Sequence, residues 1–142
     1  MTIAAMMTGR SGQIHNAKAD ESVAVAAARL AEQKIGALPV MDGDQVAGIF
    51  SERDVIYGLA LYGAAMLDKK VGEVMTAPAI TVSSDTPILS ALSLMTRRRI
   101  RHLPVVDGGH LTGFISIGDL VKHRIEKIEA EAAAMRDYIQ MA

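Results

Sequence analysis

The sequence predicts a mixed α/β (α+β) protein: two β-α-β-β-α units packed sheet to sheet with pseudo-twofold symmetry, plus an extended C-terminal helix. Three observations carry that expectation. Residues 20–54 and 85–119 align without a gap at a fixed offset of 65 and are identical at eleven of 35 positions. Within each copy a helical pattern leads into a short apolar strand, an Asp-Gly turn and a second strand. The chain then ends on a long heptad-like stripe. One such unit leaves an amphipathic surface uncovered, and a second related unit covers it.

The elements run in order along the chain. Met6-Met7-Thr8, Gly9 and Gly12 suit a short turn and then a loop, and residues 13–17 form a candidate strand. A helix is expected from about Asp20, because Val23, Ala26, Ala27, Leu30 and Ala31 share one face and alanine favours helix. Gly36 is expected to end it. Leu38-Pro39-Val40-Met41 reads as a buried strand at which the missing N–H of Pro39 is not needed. Asp42-Gly43-Asp44 is a hairpin turn by composition, and residues 46–50 return. Ser51 is placed to cap a helix from Arg53 to about Leu61. Residues 62–70 connect the halves. Val-Gly-Glu-Val-Met-Thr at 71–76 is a helical turn that Pro78 stops, and Ile80-Thr81-Val82 is a short strand. Asp85-Thr86-Pro87 opens a helix with proline at its first position, and Ile88, Ala91, Leu92 and Met95 face inward. Residues 102–106, the turn Asp107-Gly108-Gly109 and residues 111–116 repeat the hairpin, and the last helix starts near Gly118. Its stripe, Val121, Ile125, Ile128, Ala132, Met135 and Ile139, is spaced 4, 3, 4, 3, 4. That spacing serves equally a helix folded back on its own domain and a helix paired with a second chain.

Composition excludes several classes. The 142 residues are half apolar, with two Phe, three Tyr and no Trp, so the core is aliphatic. There is no cysteine for a disulfide or a thiolate metal site. The formal net charge is −1, and neither half is strongly basic, which argues against a nucleic-acid partner. No apolar run reaches the roughly 18 residues of a membrane span. The first ten residues lack the basic start of a signal peptide. The expectation is a soluble, cytoplasmic protein. Phosphate-binding glycine loops, zinc-protease signatures and nucleophile–base pairs are missing, so catalysis has no support and no metal site is expected.

The chemistry concentrates at Gly113-Phe114-Ile115-Ser116-Ile117-Gly118-Asp119. Ser116 stands where a strand becomes a helix, among free N–H groups that attract anions. Asp119 comes one helical turn later, so its carboxylate reaches the same helix end. A carboxylate beside amides and a hydroxyl suits a nucleoside. The same residue types also suit a plain N-cap with an acid in the first turn. Ser51 and Asp54 repeat the arrangement in the first half.

The ordered set occurs twice: helix, Leu-Pro-Val strand, Asp-Gly turn, strand, then Gly-x-x-Ser-x-x-Asp. With the lead-in at 71–76 and the run His102-Leu103-Pro104-Val105-Val106-Asp107-Gly108-Gly109, it resembles a cystathionine β-synthase (CBS) domain pair, or Bateman module. The resemblance places a first CBS domain at 6–62, a second at 71–125 and a helical extension at 126–142. It implies two three-stranded sheets face to face, commonly in a homodimer. It further implies an adenosyl ligand such as AMP, ADP or ATP, or else NAD or S-adenosylmethionine, and requires no cofactor. Asp119 would take the ribose hydroxyls and Ser116 the phosphate–ribose edge. Arg101 and His102, just before the Leu-Pro-Val strand, would reach phosphate, arginine by its bidentate fork. Ile80, Thr81 and Val82, Pro104 in its strand and, in the other half, Ile14-His15 would line the adenine slot. Gly36 and Ala37 stand where Arg101 and His102 do in the other half, although Lys34 matches Arg99. The two clefts are therefore expected to differ, the one with Ser116 and Asp119 being the better nucleotide site. The implied function is regulatory, with a partner protein outside this chain. The competing expectation is a structural dimerisation module with degenerate ligand sites.

Overall fold

The computed structural model describes residues 1–10 and 12–141. The elements run α1 (Ile3–Met7), β1 (Ala17–Lys18), α2 (Val23–Gln33), β2 (Ala37–Asp42), β3 (Gln45–Ser51) and α3 (Glu52–Tyr62). A 3₁₀ turn (Gly63–Asp68) leads to α4 (Val71–Val74), α5 (Ile88–Arg98), β4 (His102–Asp107), β5 (His110–Ser116) and α6 (Ile117–Met141). The expected two-unit α/β architecture with its long final helix is present. β1 pairs parallel with β2, β2 antiparallel with β3, and β4 antiparallel with β5. β3 and β5 bring the two sheets together.

Hairpin chemistry is the same in both units. Gly43 at φ 61°, and Gly108 and Gly109 at φ 57° and 79°, take turn conformations that side chains resist. Each hairpin shifts register one residue past its Leu-Pro-Val run, at Val40/Met41 and at Val105/Val106.

The lead-in helices are exchanged between the units. α1 belongs by sequence to the first repeat, yet Ile3 and Met6 lie in the core of the second, with Ile88, Ala91, Met95, Leu103, Val105, Ile115 and Leu120. α4 precedes the second repeat, yet Val71 lies in the core of the first, with Val23, Ala26, Leu30, Leu38, Val40 and Phe50. The exchange is hydrogen-bonded twice in the same way. The Ile3 and Ala4 N–H groups donate to the Thr86 and Ser84 carbonyls at 2.9 and 2.7 Å. Val71 and Gly72 donate to Glu21 and Ala19, both at 2.9 Å. Neither core closes on its own repeat alone.

Several expectations are corrected. The strand expected at 13–17 survives only at its end, as β1. Ile80-Thr81-Val82 makes a single bridge, Val82 to Val105, so the second sheet has two strands rather than three. There the chain turns away at once: the Ser83 hydroxyl bonds Asp85, and the Ser84 N–H donates to Asp107 at 2.9 Å. Asp85 is thereby engaged outside the helix, and Pro87 is the N-cap of α5 rather than its first residue. α2 starts at Val23 on a Ser22 cap, not at Asp20. It ends at Lys34 in the left-handed region, φ 54°, two residues before Gly36.

Gly48 and Gly113, equivalent by the repeat, lie under the exchanged lead-ins. A Cβ on Gly48 would lie 2.6 Å from the Thr76 carbonyl oxygen and 2.8 Å from the Met75 sulfur. A Cβ on Gly113 would meet only the flexible end of Met7, with its sulfur at 2.8 Å. Backbone cannot step aside as a thioether can. Gly48→Ala should therefore cost about 2–3 kcal/mol and Gly113→Ala about 1 kcal/mol or less, read from urea unfolding. Equal costs would contradict this account of the two docks.

Candidate functional site

Between the units lies a cleft of about 500 Å³. Gly113, Phe114, Ser116 and Asp119 line it from the second unit; Ile14, His15, Lys34 and Gly36 line it from the first, with Met7 and Arg10 of the lead-in. A second cleft, about 220 Å³, holds Ser51, Glu52, Arg53 and Thr76, with Arg99 and Arg101 from the second unit.

Ser116 and Asp119 come together as the sequence suggests. The Asp119 N–H donates to the Ser116 hydroxyl at 3.1 Å, and the Ser116 N–H donates to Asp119 Oδ2 at 2.9 Å. Asp119 Oδ1 faces the Arg10 guanidinium at 3.0 Å. Burial acts to raise the Asp119 carboxyl, but the Ser116 N–H and the Arg10 guanidinium outweigh it and hold the group below the usual carboxylate range. It is an anion whose outer oxygen, among the described residues, is tied by one half-exposed side chain.

The first-half counterpart is locked. Asp54 is buried and forms a capping box: Oδ2 accepts from the Ser51 N–H at 2.9 Å and the Ser51 hydroxyl at 3.1 Å. Its Oδ1 accepts from the Thr76 hydroxyl at 2.9 Å. Thr76 also exchanges two backbone bonds with Ile49, each 2.9 Å, and so draws the lead-in over the smaller cleft. In the other unit the lead-in runs Thr8-Gly9-Arg10. There the Thr8 hydroxyl bonds its own helix, at the Ala4 carbonyl, and Arg10 takes the carboxylate instead. The Asp54 carboxylate is held by hydroxyl and amide donors, whereas the outer oxygen of Asp119 is held by a half-exposed guanidinium.

The cations are crossed between units, which corrects the expected grouping. Arg101 does not join Ser116 and Asp119; it lines the smaller cleft beside Ser51. Arg101 stands just before β4 and His102 opens it, and both line the smaller cleft. His102 lines both clefts and forms the wall between them. Its ring stacks on Phe114 at 5.6 Å between centroids and 11° between planes. Gly36 makes the room, since a Cβ there would lie 3.3 Å from the imidazole Cε1. Ile80, Thr81, Val82 and Pro104 line neither cleft: Val82 and Pro104 are engaged in the second sheet, where the Val82 N–H donates to the Pro104 carbonyl at 3.0 Å. Ile14 and His15 of the first half do line the larger one.

Sequence reasoning missed Arg10, Phe114 and the role of Lys34. Lys34 and Arg99 offered a signal, as cations matched by the repeat. Both sit at φ 54°, where glycine would be unstrained. Each borders the cleft built on the other unit's Ser-x-x-Asp: Lys34 the larger, Arg99 the smaller.

The CBS domain family pattern matches this chain twice, at residues 10–61 and 71–126. A putative signal-transduction protein with CBS domains from Burkholderia ambifaria MC40-6 is 40% identical, with a TM-score of 0.83 over 89% of this chain and 95% of that one. CBSX2, solved in complex with AMP, is 31% identical, with a TM-score of 0.75 over 88% of this chain and 96% of that one. The mitochondrial CBS domain-containing protein CBSX3 of Arabidopsis thaliana is 36% identical over 126 residues, 85% of this chain and 61% of that protein's length.

His102 carries a pH signature. Burial lowers its basicity below the ordinary value near 6.5, against the pull of Asp119 and Glu52, while Arg101 adds to the lowering. Its unfolded form therefore binds a proton first as pH falls, and stability drops below about pH 6.5 until the folded form protonates as well. His102→Gln should flatten the stability profile between about pH 7.5 and pH 5.5, measured by urea unfolding. An unchanged slope would remove His102 as its source.

Proposed function

The chain belongs to the CBS domain family, and from that premise we propose that it is a regulatory module binding an adenosyl nucleotide, of the AMP, ADP or ATP class, in the larger cleft. The observation that carries this reading is the Asp119 carboxylate. It is ionised, oriented by Ser116 and reachable from a cleft bordered by Lys34, Arg10 and His102. The ribose hydroxyls replace Arg10 on Oδ1, and the freed guanidinium turns to the phosphates with Lys34. Phe114 and His102 offer a flat stack to the base. The smaller cleft, with Asp54 engaged on every side, is the weaker site or an empty one. CBSX2, the relative bound to AMP, supports the ligand class.

The module acts without catalysis. Because the cleft joins two units, a ligand touching both favours one relative arrangement by its differential affinity. We read the chain as a cytoplasmic homodimer that passes this state to a separate protein. No helix among the described residues is long and apolar enough to cross a membrane. One observation favours the structural alternative: Asp119 is already satisfied by Arg10.

A thermal-shift screen with AMP, ADP, ATP, NAD and S-adenosylmethionine decides between them. A ligand at a thousand times its dissociation constant adds roughly 4 kcal/mol of apparent stability. No shift with any of the five leaves the structural reading. Three variants test the site. Asp119→Asn should abolish the shift. Lys34→Gly should weaken it while keeping stability within about 1 kcal/mol, because relief of the left-handed backbone offsets the added chain entropy. Asp54→Asn should leave binding in place yet destabilise the fold by about 1–3 kcal/mol, because the amide keeps only one acceptor oxygen and turns a donor towards either the Ser51 or the Thr76 partners.

Arg10→Ala separates nucleoside from nucleotide. Titration calorimetry should show adenosine binding more tightly, because its ribose no longer competes with a guanidinium. AMP should gain less or weaken, because it loses a phosphate partner. Equal changes for the two ligands would refute the exchange of Arg10 between carboxylate and phosphate.

A further inference from the structure

We propose that α6 pairs with α6 of a second copy as a parallel, in-register two-stranded coiled coil. The inference rests on the homodimer reading above and is independent of the nucleotide. From Ile128 to Met141 every residue but Ala133 is exposed, so the last half of the helix stands clear of its own domain. An isolated stretch of that length is marginal in water. Along it runs an apolar stripe whose exposure rises from 42% at Val121 to 64% at Ile139. The 4, 3, 4, 3, 4 spacing keeps that stripe on one seam.

Charge selects the occupant and its direction. Beside the seam stand Lys122, Glu129 and Arg136 on one flank, and Arg124, Glu131 and Tyr138 on the other. In a parallel, in-register pair each residue of the second flank meets the first-flank residue five positions on. Arg124 then faces Glu129 of the other copy, and Glu131 faces Arg136. Each contact occurs twice by symmetry, and all are of opposite sign. The fully overlapped antiparallel pair instead opposes Lys122 to Arg136 and sets Glu129 and Glu131 each against its own copy. Sliding that pair by one heptad relieves the repulsion but leaves a third of the seam uncovered. Only the parallel arrangement covers all six seam positions while opposing no like charges.

The chain has no cysteine, which makes a direct test available. Two full-length variants, Val121→Cys and Ile139→Cys, are oxidised mildly, alone and mixed. Each variant alone should link to itself in high yield, because parallel pairing brings equal positions together. Linking only in the mixture would establish antiparallel pairing and overturn the proposal. In sedimentation equilibrium, Arg124→Glu should weaken the dimer about tenfold, since two attractive contacts become repulsive. Adding Glu129→Arg to that variant should restore it. A double variant no tighter than the single overturns the assignment of the contact. A dimer unaffected by either change and by removal of residues 129–142 overturns the coil while leaving the homodimer standing. A chain that stays monomeric overturns both. The nucleotide screen reads out separately from all of these.

Discussion

Everything in this molecule depends on the reciprocal exchange of lead-in helices. Two backbone bonds from Ile3 and Ala4 fix α1 to the second unit, and two from Val71 and Gly72 fix α4 to the first. Each repeat is too small to close a core of its own. Ile3, Met6 and Val71, all buried at 9% exposure or less, complete the partner's core. The exchange makes the halves mutually obligatory, and it delivers each lead-in to the rim of a cleft. The residues just beyond α1 and α4 therefore decide what each cleft can do. Thr76 ties its carboxylate down and bridges to β3, whereas Thr8-Gly9-Arg10 carries a cation to Asp119.

The same geometry explains why equal motifs are chemically unequal. Ser51 and Asp54 reproduce Ser116 and Asp119 to within a few tenths of an ångström in their capping bonds. The difference lies in the second carboxylate oxygen, which meets a neutral hydroxyl in one unit and an exposed guanidinium in the other. A buried, fully bonded carboxylate is costly to recruit, because a ligand must replace each bond it breaks. A half-exposed ion pair is worth little and exchanges readily. The motif sets the position of the acid, and the exchanged lead-in sets its availability.

Much of this was legible in the sequence because it is local. The hairpins came from Asp-Gly turns between apolar strands, the caps from Ser51 and Ser116, and the two-unit plan from the repeat. The long-range facts were not legible. Nothing local to Met6-Met7-Thr8 says that α1 belongs with Leu103 and Ile115, since an amphipathic turn shows which face is buried but not against what. The crossing of cations failed for the same reason. Sequence places Arg101 three positions from Pro104 and fifteen from Ser116, but which cleft it enters depends on the packing of two sheets. Ile80-Thr81-Val82 looked like a full strand because β-branched residues favour one. Its pairing is cut to one bridge by the bonding of Ser83 and Ser84, a competition that strand propensity does not register.

The divergence of the two copies is itself structured at their shared boundary. His102 stacks on Phe114 and leans over Gly36, and its ring borders both clefts. The repeat equates Gly36 with Arg101 and Ala37 with His102. Where one copy carries Arg101 and His102, the other carries the two smallest side chains, and the Gly36–His102 contact gives a physical reason for the glycine. A side chain at 36 would enter the space that the imidazole fills. The missing bulk at Gly36 and the large ring of His102 therefore fit one shared space. Its consequence is a single aromatic partition, with Asp119 on one side and Glu52 and Arg101 on the other all acting on its charge. A ligand that neutralises or displaces any of these groups changes the field at His102. The imidazole partition thus stands in the field of charged groups from both clefts.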